Sequence, residues 1–166
     1  MISDSRVRVV TLLAGFAGLI LGILVTMVLQ SRISAQQSGD RRIVIRPEKS
    51  PKTGLPFSPG ILVGNTLYVA GHLGRDPVTA RLVSGGIEAE TRQALTNIGE
   101  VLKAAGMDFK DVVSVTAYIT SFEDFAKFNQ VYREFFPNDP PARATVQVAA
   151  LNDGARIELQ MIAVKP

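Results

Sequence analysis

Residues 140–148 read Pro140-Pro141-Ala142-Arg143-Ala144-Thr145-Val146-Gln147-Val148. Past the turn signal Asn152-Asp153-Gly154 the chain continues Ile157-Glu158-Leu159-Gln160-Met161-Ile162-Ala163. Both runs alternate with period two, the pattern of strands whose two faces meet different surroundings. In the first, Arg143, Thr145 and Gln147 share one side, and Ala144, Val146 and Val148 the other. In the second, Ile157, Leu159 and Met161 share a face, so Glu158 stands on the opposite one with Arg156 and Gln160. These are the predicted strands 143–149 and 155–164.

Upstream, Ala94, Leu95, Ile98, Val101, Leu102 and Ala105 recur at helical spacing. They predict a helix over 87–105 with Gly106 at its C-terminal cap. Residues 112–119 alternate and are rich in β-branched side chains, as in a strand. A second helix is predicted to open at Ser121 and to stop at Pro137, with Phe125, Phe128, Tyr132 and Phe135 on one aromatic face. Further back, Ile61-Leu62-Val63 and Thr66-Leu67-Tyr68-Val69-Ala70 flank Gly64-Asn65, a dipeptide that supplies the positive φ of a tight turn. Residues 71–86 read as loop, and residues 43–46 as a short strand before a proline-rich run. The order strand–strand–strand–helix–strand–helix–strand–strand implies an α+β domain: a single mixed β-sheet with two helices packed on one face. The other face then needs cover, which points to subunit association.

The N-terminal part is of another kind. No charged residue occurs between Val9 and Ser31, and the run is almost wholly apolar. A helix of about 20 such residues spans a bilayer core, so an N-terminal membrane helix is expected. An uncleaved signal anchor is the leading reading. The alternative is a cleavable signal peptide ending at Ile33-Ser34-Ala35, for which the apolar stretch is long. Two arginines precede the span and Arg32, Arg41, Arg42 and Arg46 follow it. That count favours a cytoplasmic domain, while the shortness of the N-terminus argues for a periplasmic or secreted one. The chain thus divides into a membrane anchor or signal segment over 1–31, a linker with the first strand over 32–53, and a globular domain over 54–166.

The formal charge of the 166-residue chain is +3, with a pI near 9.4. Five arginines against two aspartates within residues 1–42 account for all of it, and the remainder carries equal numbers of acidic and basic side chains. Neither a basic run nor interleaved aromatics appear there, so no nucleic-acid partner is expected. The chain has no Cys and a single His, His72, which excludes disulfide scaffolds, thiolate zinc sites and cysteine nucleophiles.

Four residues are candidates for chemistry. Arg143, following two prolines on an apolar strand, can form a bidentate pair with a ligand carboxylate; residue type and spacing alone favour, by a little, an internal ion pair with Glu158 or Asp153. Glu158 can act as a base or orient a water, or can be a solvated edge glutamate. His72, at a strand end, is an acid–base candidate without an accompanying Ser or Asp. Asn129 is a polar residue on the aromatic helix. The phosphate-loop pattern is absent.

Several segments in register resemble the RidA (YjgF-type) family of reactive-intermediate deaminases. They are Pro56-Phe57-Ser58-Pro59-Gly60, Gly64 to His72, Glu90 to Ile98 with Val101 to Gly106, Asp124 to Tyr132 with Phe135-Phe136, and most specifically the two runs quoted first. The resemblance covers roughly residues 54–165. It implies a chorismate-mutase-like homotrimer with ligand clefts between subunits. It also implies hydrolysis of enamine and imine intermediates of the 2-aminoacrylate type to 2-keto acids and ammonia, with no metal and no organic cofactor. By the same resemblance Arg143 clamps the substrate carboxylate and Glu158 positions the attacking water. Gly71 and Thr145 offer main-chain hydrogen bonds, and Phe57, His72 and Asn129 line the cleft.

Many active members of that family have Tyr where this chain has Phe57, Ser at Ala70, Gln at His72, and Cys or Ser at Thr145. Losing two hydroxyls removes hydrogen bonds worth about 1 kcal/mol each, enough to alter substrate or rate. A non-catalytic module that binds or senses a small carboxylate is therefore the alternative to an enzyme. Retention of both Arg143 and Glu158 favours the enzyme.

Overall fold

A computed structural model of the chain describes residues 22–28, 30, 41–48 and 54–165. Residues 22–28 and 30 are helical with exposed side chains. Among the described residues no helix is long and apolar enough to cross a membrane. Most of the apolar run over 9–31, read above as a membrane helix, lies outside the described residues, as do residues 32–40 and 49–53 of the segment after it.

The globular unit spans Arg42–Pro166. Its strands are β1 (Ile43–Ile45), β2 (Gly60–Val63), β3 (Thr66–Leu73), β4 (Val112–Ile119), β5 (Ala142–Gln147) and β6 (Ile157–Val164); its α-helices are α1 (Gly86–Ala104) and α2 (Phe125–Phe135). The six strands form one sheet in the order β1-β2-β3-β6-β4-β5. All neighbours are antiparallel except β4 and β5, which run parallel. The parallel pair follows from the crossover through α2, since a parallel connection needs a helix-length return. The α+β, mixed-sheet expectation therefore holds.

Helix α1 ends where its sequence punctuation places it. Gly106, at φ 68, lets its own N–H reach the Lys103 carbonyl and that of Met107 reach Leu102, a Schellman closure. Leu95, Ile98, Val101 and Leu102 are fully buried and join Leu67, Val69, Val115, Ile157, Leu159 and Met161 in one core. The opposite sheet face leaves Val44, Tyr68 and Val146 exposed.

Three local expectations shift. Strand β3 continues to Leu73 instead of ending at Ala70, because a bulge between Val69 and His72 absorbs one residue and pairing with β6 resumes at His72↔Leu159. Ser121 caps a 3₁₀ turn over Phe122–Asp124, accepting from the Glu123 N–H, and the α-helix itself opens at Phe125. The last strand begins at Ile157 because residues 152–154 form a further 3₁₀ turn, with Asp153 at φ 55.

Candidate active site

The strand register determines which side chains can meet. Ile45, Gly60, Val69, Met161, Val115 and Arg143 are successive cross-strand partners, one residue from each strand. Partners share a face, and Val69, Val115 and Met161 are buried beneath the helices. Arg143 therefore ends an apolar row on the helix-covered face, at the free edge of the sheet. Thr145 lies on the same face, in register with Ala117 and, through it, Leu159.

There the guanidinium is held by α2. Its Nη2 donates to Asn129 Oδ1 at 2.6 Å, and its central carbon sits 4.4 Å from the Tyr132 ring centre and 4.8 Å from that of Phe128. Among the described residues it has no carboxylate partner. Asp153, one candidate for an internal pair, is taken by Arg75. The other, Glu158, is on the far side of the sheet. The buried Tyr132 hydroxyl finds no hydrogen-bond partner among the described residues. Burial pushes this phenol up to about 12 against the pull of Arg143, so it stays neutral beside the cation.

Glu158 pairs across β4 with Tyr118 and, through it, Val146, which places it on the open face. The bulge in β3 turns Gly71 to that face as well. A Cβ on Gly71 would fall on Glu158 Oε1 and lie 2.8 Å from its Cδ. The carboxylate thus occupies the space that only a glycine leaves, and among the described residues it makes no hydrogen bond or ion pair. The strand carrying it is anchored two residues earlier, where the buried Glu90 accepts the Arg156 N–H at 2.8 Å.

The sequence-derived site residues thus separate into two groups. Arg143, Thr145 and Asn129 gather at the sheet edge on the helix face; Gly71 and Glu158 gather on the open face. Phe57 is exposed in the segment before β2. His72 pairs with Leu159 and so points to the helix side, away from Gly71 and Glu158. Its ring bonds the Pro59 carbonyl, and its buried Nε2 has no partner among the described residues. Sequence reasoning did not find the contacts of Phe128 and Tyr132 with Arg143 or the role of Glu90. The aromatic spacing on α2 was visible, but it reads equally well as plain core.

Burial lowers the His72 pKa from 6.5 to about 4, outweighing the bond to Pro59. Above pH 6.5 the residue is neutral in both folded and unfolded chains and contributes no pH dependence. As pH falls through 6.5 the unfolded chain takes up a proton that the folded one refuses until about pH 4. Stability should therefore decline across that window by about 3 kcal/mol on account of this residue. Urea unfolding at fixed protein concentration, at pH 7.5 and at pH 4.5, should show a clearly smaller loss in His72→Gln than in the unmodified protein. Equal losses would mean that His72 is not the group responsible.

Residues 47–165 match the family model described as Endoribonuclease L-PSP. The bovine (Bos taurus) 2-iminobutanoate/2-iminopropanoate deaminase is 48% identical over 124 residues, which is 75% of this chain and 90% of that protein. The human (Homo sapiens) protein of the same name is 45% identical over the same shares. The crystal structure of RidA from the Antarctic bacterium Psychrobacter sp. PAMC 21119 superposes with a TM-score of 0.71 at 37% identity, covering 74% of this chain and 99% of that one. The chain belongs to the Endoribonuclease L-PSP family, the RidA/YjgF proteins.

Proposed function

We propose that this chain hydrolyses small 2-imino carboxylates and their enamine tautomers, including 2-aminoacrylate, to 2-keto acids and ammonia. The chain is an imine deaminase, as its relatives at 45–48% identity are named. The observation that carries the substrate class is the Arg143 guanidinium, oriented by a neutral amide and two neutral rings, with no acid of its own among the described residues. Such a group recognises a carboxylate by paired N–H···O bonds.

The chemistry asks little beyond placement. The imine carbon is already electrophilic, and the substrate carboxylate on Arg143 fixes its position. Glu158 orients a water and takes one of its protons as the oxygen bonds to that carbon, while the C=N π pair moves to nitrogen. The proton returns to nitrogen, giving the tetrahedral carbinolamine; Glu158 then takes the hydroxyl proton and delivers it to the same nitrogen as the C–N bond breaks, leaving the ketone and ammonia. No cofactor or metal takes part in this sequence. Asn129 holds the clamp, Gly71 makes room for the base, and Thr145, His72 and Phe57 are assigned to the surroundings of the cleft.

Arg143 and Glu158 occupy opposite faces of one sheet, so a site using both must draw them from two copies. We place the cleft between subunits of a cyclic homotrimer, with the apolar open face, Val44, Tyr68 and Val146 included, turned toward neighbouring copies. Generating 2-iminopropanoate in situ and following its capture by semicarbazide tests the reaction: protein lacking the leader should accelerate imine loss over buffer. An uncatalysed rate in its presence would leave only the carboxylate-binding module.

We further propose that residues 9–31 tether the domain to a membrane, with the domain on the cytoplasmic side. The support is the length and apolarity of that run and the arginines following it. An alkaline phosphatase fusion after residue 42 should be inactive; an active fusion would place the domain outside.

A further inference from the structure

A clamp must point before it can bind. Arg143 sits on the edge strand of the sheet, where a long side chain sweeps many rotamers and gives up that freedom on binding. In this fold it is confined on two sides. Asn129 takes one N–H at 2.6 Å. The Tyr132 and Phe128 rings lie 4.4 and 4.8 Å from its central carbon, with Phe125 at 6.0 Å. Phe128 is fully buried and Tyr132 nearly so. The two rings stand 5.6 Å apart at 64°, forming a rigid angled seat fixed in the core.

Rings attract the cation without competing for its in-plane donors. A carboxylate in the same place would take those N–H groups and cancel the charge. The seat therefore orients Arg143 and leaves its remaining donors free for a ligand. The Tyr132 hydroxyl stays protonated beside it and so sets no negative charge against the cation.

We propose that Phe128 and Tyr132 are positioning residues for the substrate carboxylate, acting through Arg143 by fixing the plane of its guanidinium. This rests on the reading of Arg143 as the carboxylate clamp. It predicts that loss of a ring weakens substrate capture more than turnover, and does so only while Arg143 is present.

The test replaces each ring by an unbranched apolar chain of similar volume, in Phe128→Met and Tyr132→Met, and keeps the ring in Tyr132→Phe. Thermal unfolding first shows which variants are folded, and either Met variant suffices. Steady-state hydrolysis of 2-iminopropanoate should give a KM raised about tenfold for the Met variants, with kcat within about twofold of the unmodified enzyme. Tyr132→Phe should recover most of the lost affinity. In an Arg143→Ala background the Met substitutions should have no further effect on KM.

An unchanged KM in a folded Met variant overturns the proposal, and so does an equal rise in the Arg143→Ala background. A parallel fall of kcat with no change in KM also overturns it. If Arg143→Ala itself keeps the original KM, the clamp reading fails, and the seat fails with it; that result is distinct from the others.

Discussion

Arg143→Ala protein and Glu158→Ala protein, each nearly inactive alone, should regain imine hydrolysis when unfolded together and reassembled. Each single variant is expected to lose about 10²-fold or more in kcat/KM, the range for removing a charge-assisted substrate contact or a positioned base. The recovery follows from the sheet. Arg143 is in register with the buried Val115 and Met161, whereas Glu158 is in register with Tyr118 on the other face. A backbone layer separates them, and rotamer changes do not carry either side chain through it. If neighbouring copies supply one group each, random mixing leaves about one interface in four with both groups intact. About a quarter of the original activity should return, measured by the semicarbazide assay on assemblies shown by native mass spectrometry to be mixed. Mixed assemblies as inactive as their parents would rule out a cleft shared in this way.

Gly71→Ala should produce a comparable loss of activity while leaving the fold intact. The added methyl would fall on Glu158 Oε1 and press on its Cδ, and the atoms that must move are the far end of a flexible side chain. Its displacement costs the fold little, so Tm should scarcely change. Catalysis is less tolerant: a misplacement of about 1 Å can cost 10²-fold, so kcat is expected to fall by about that factor. The double variant Gly71→Ala/Glu158→Ala should be no slower than Glu158→Ala alone, because the methyl acts only through the carboxylate. A normal kcat in Gly71→Ala would remove Glu158 from the reaction, and a large fall in Tm would show that Gly71 serves the fold instead.

How far the sequence reading reached depends on the range of the interaction involved. The punctuation of α1 by Gly106 and the turn at Gly64-Asn65 are settled within a few residues, and both were legible. So was the alternation that sets Glu158 against Ile157 and Leu159. Neighbouring expectations failed where pairing decides. The bulge at residues 70–71 exists only relative to Leu159 and Met161 on a strand some ninety residues later in the sequence, and no local pattern records it. The resemblance names the cleft residues without saying which face of the sheet carries each, and a single chain divides them between two.

For Arg143, its strand alternation already separated it from Ala144 and Val146. Alternation says that two faces differ, and it does not say which of them the helices cover. That was decided by the parallel docking of β5 on β4 and by α2 crossing above it, contacts between segments that approach only when the whole sheet closes. By itself the sequence determined the elements, their order and the two side chains most suited to an imino acid. Only the tertiary structure decided that one lies under the helices, with no acid partner among the described residues, and the other on the open face against a glycine, because register and layering are properties of long-range packing.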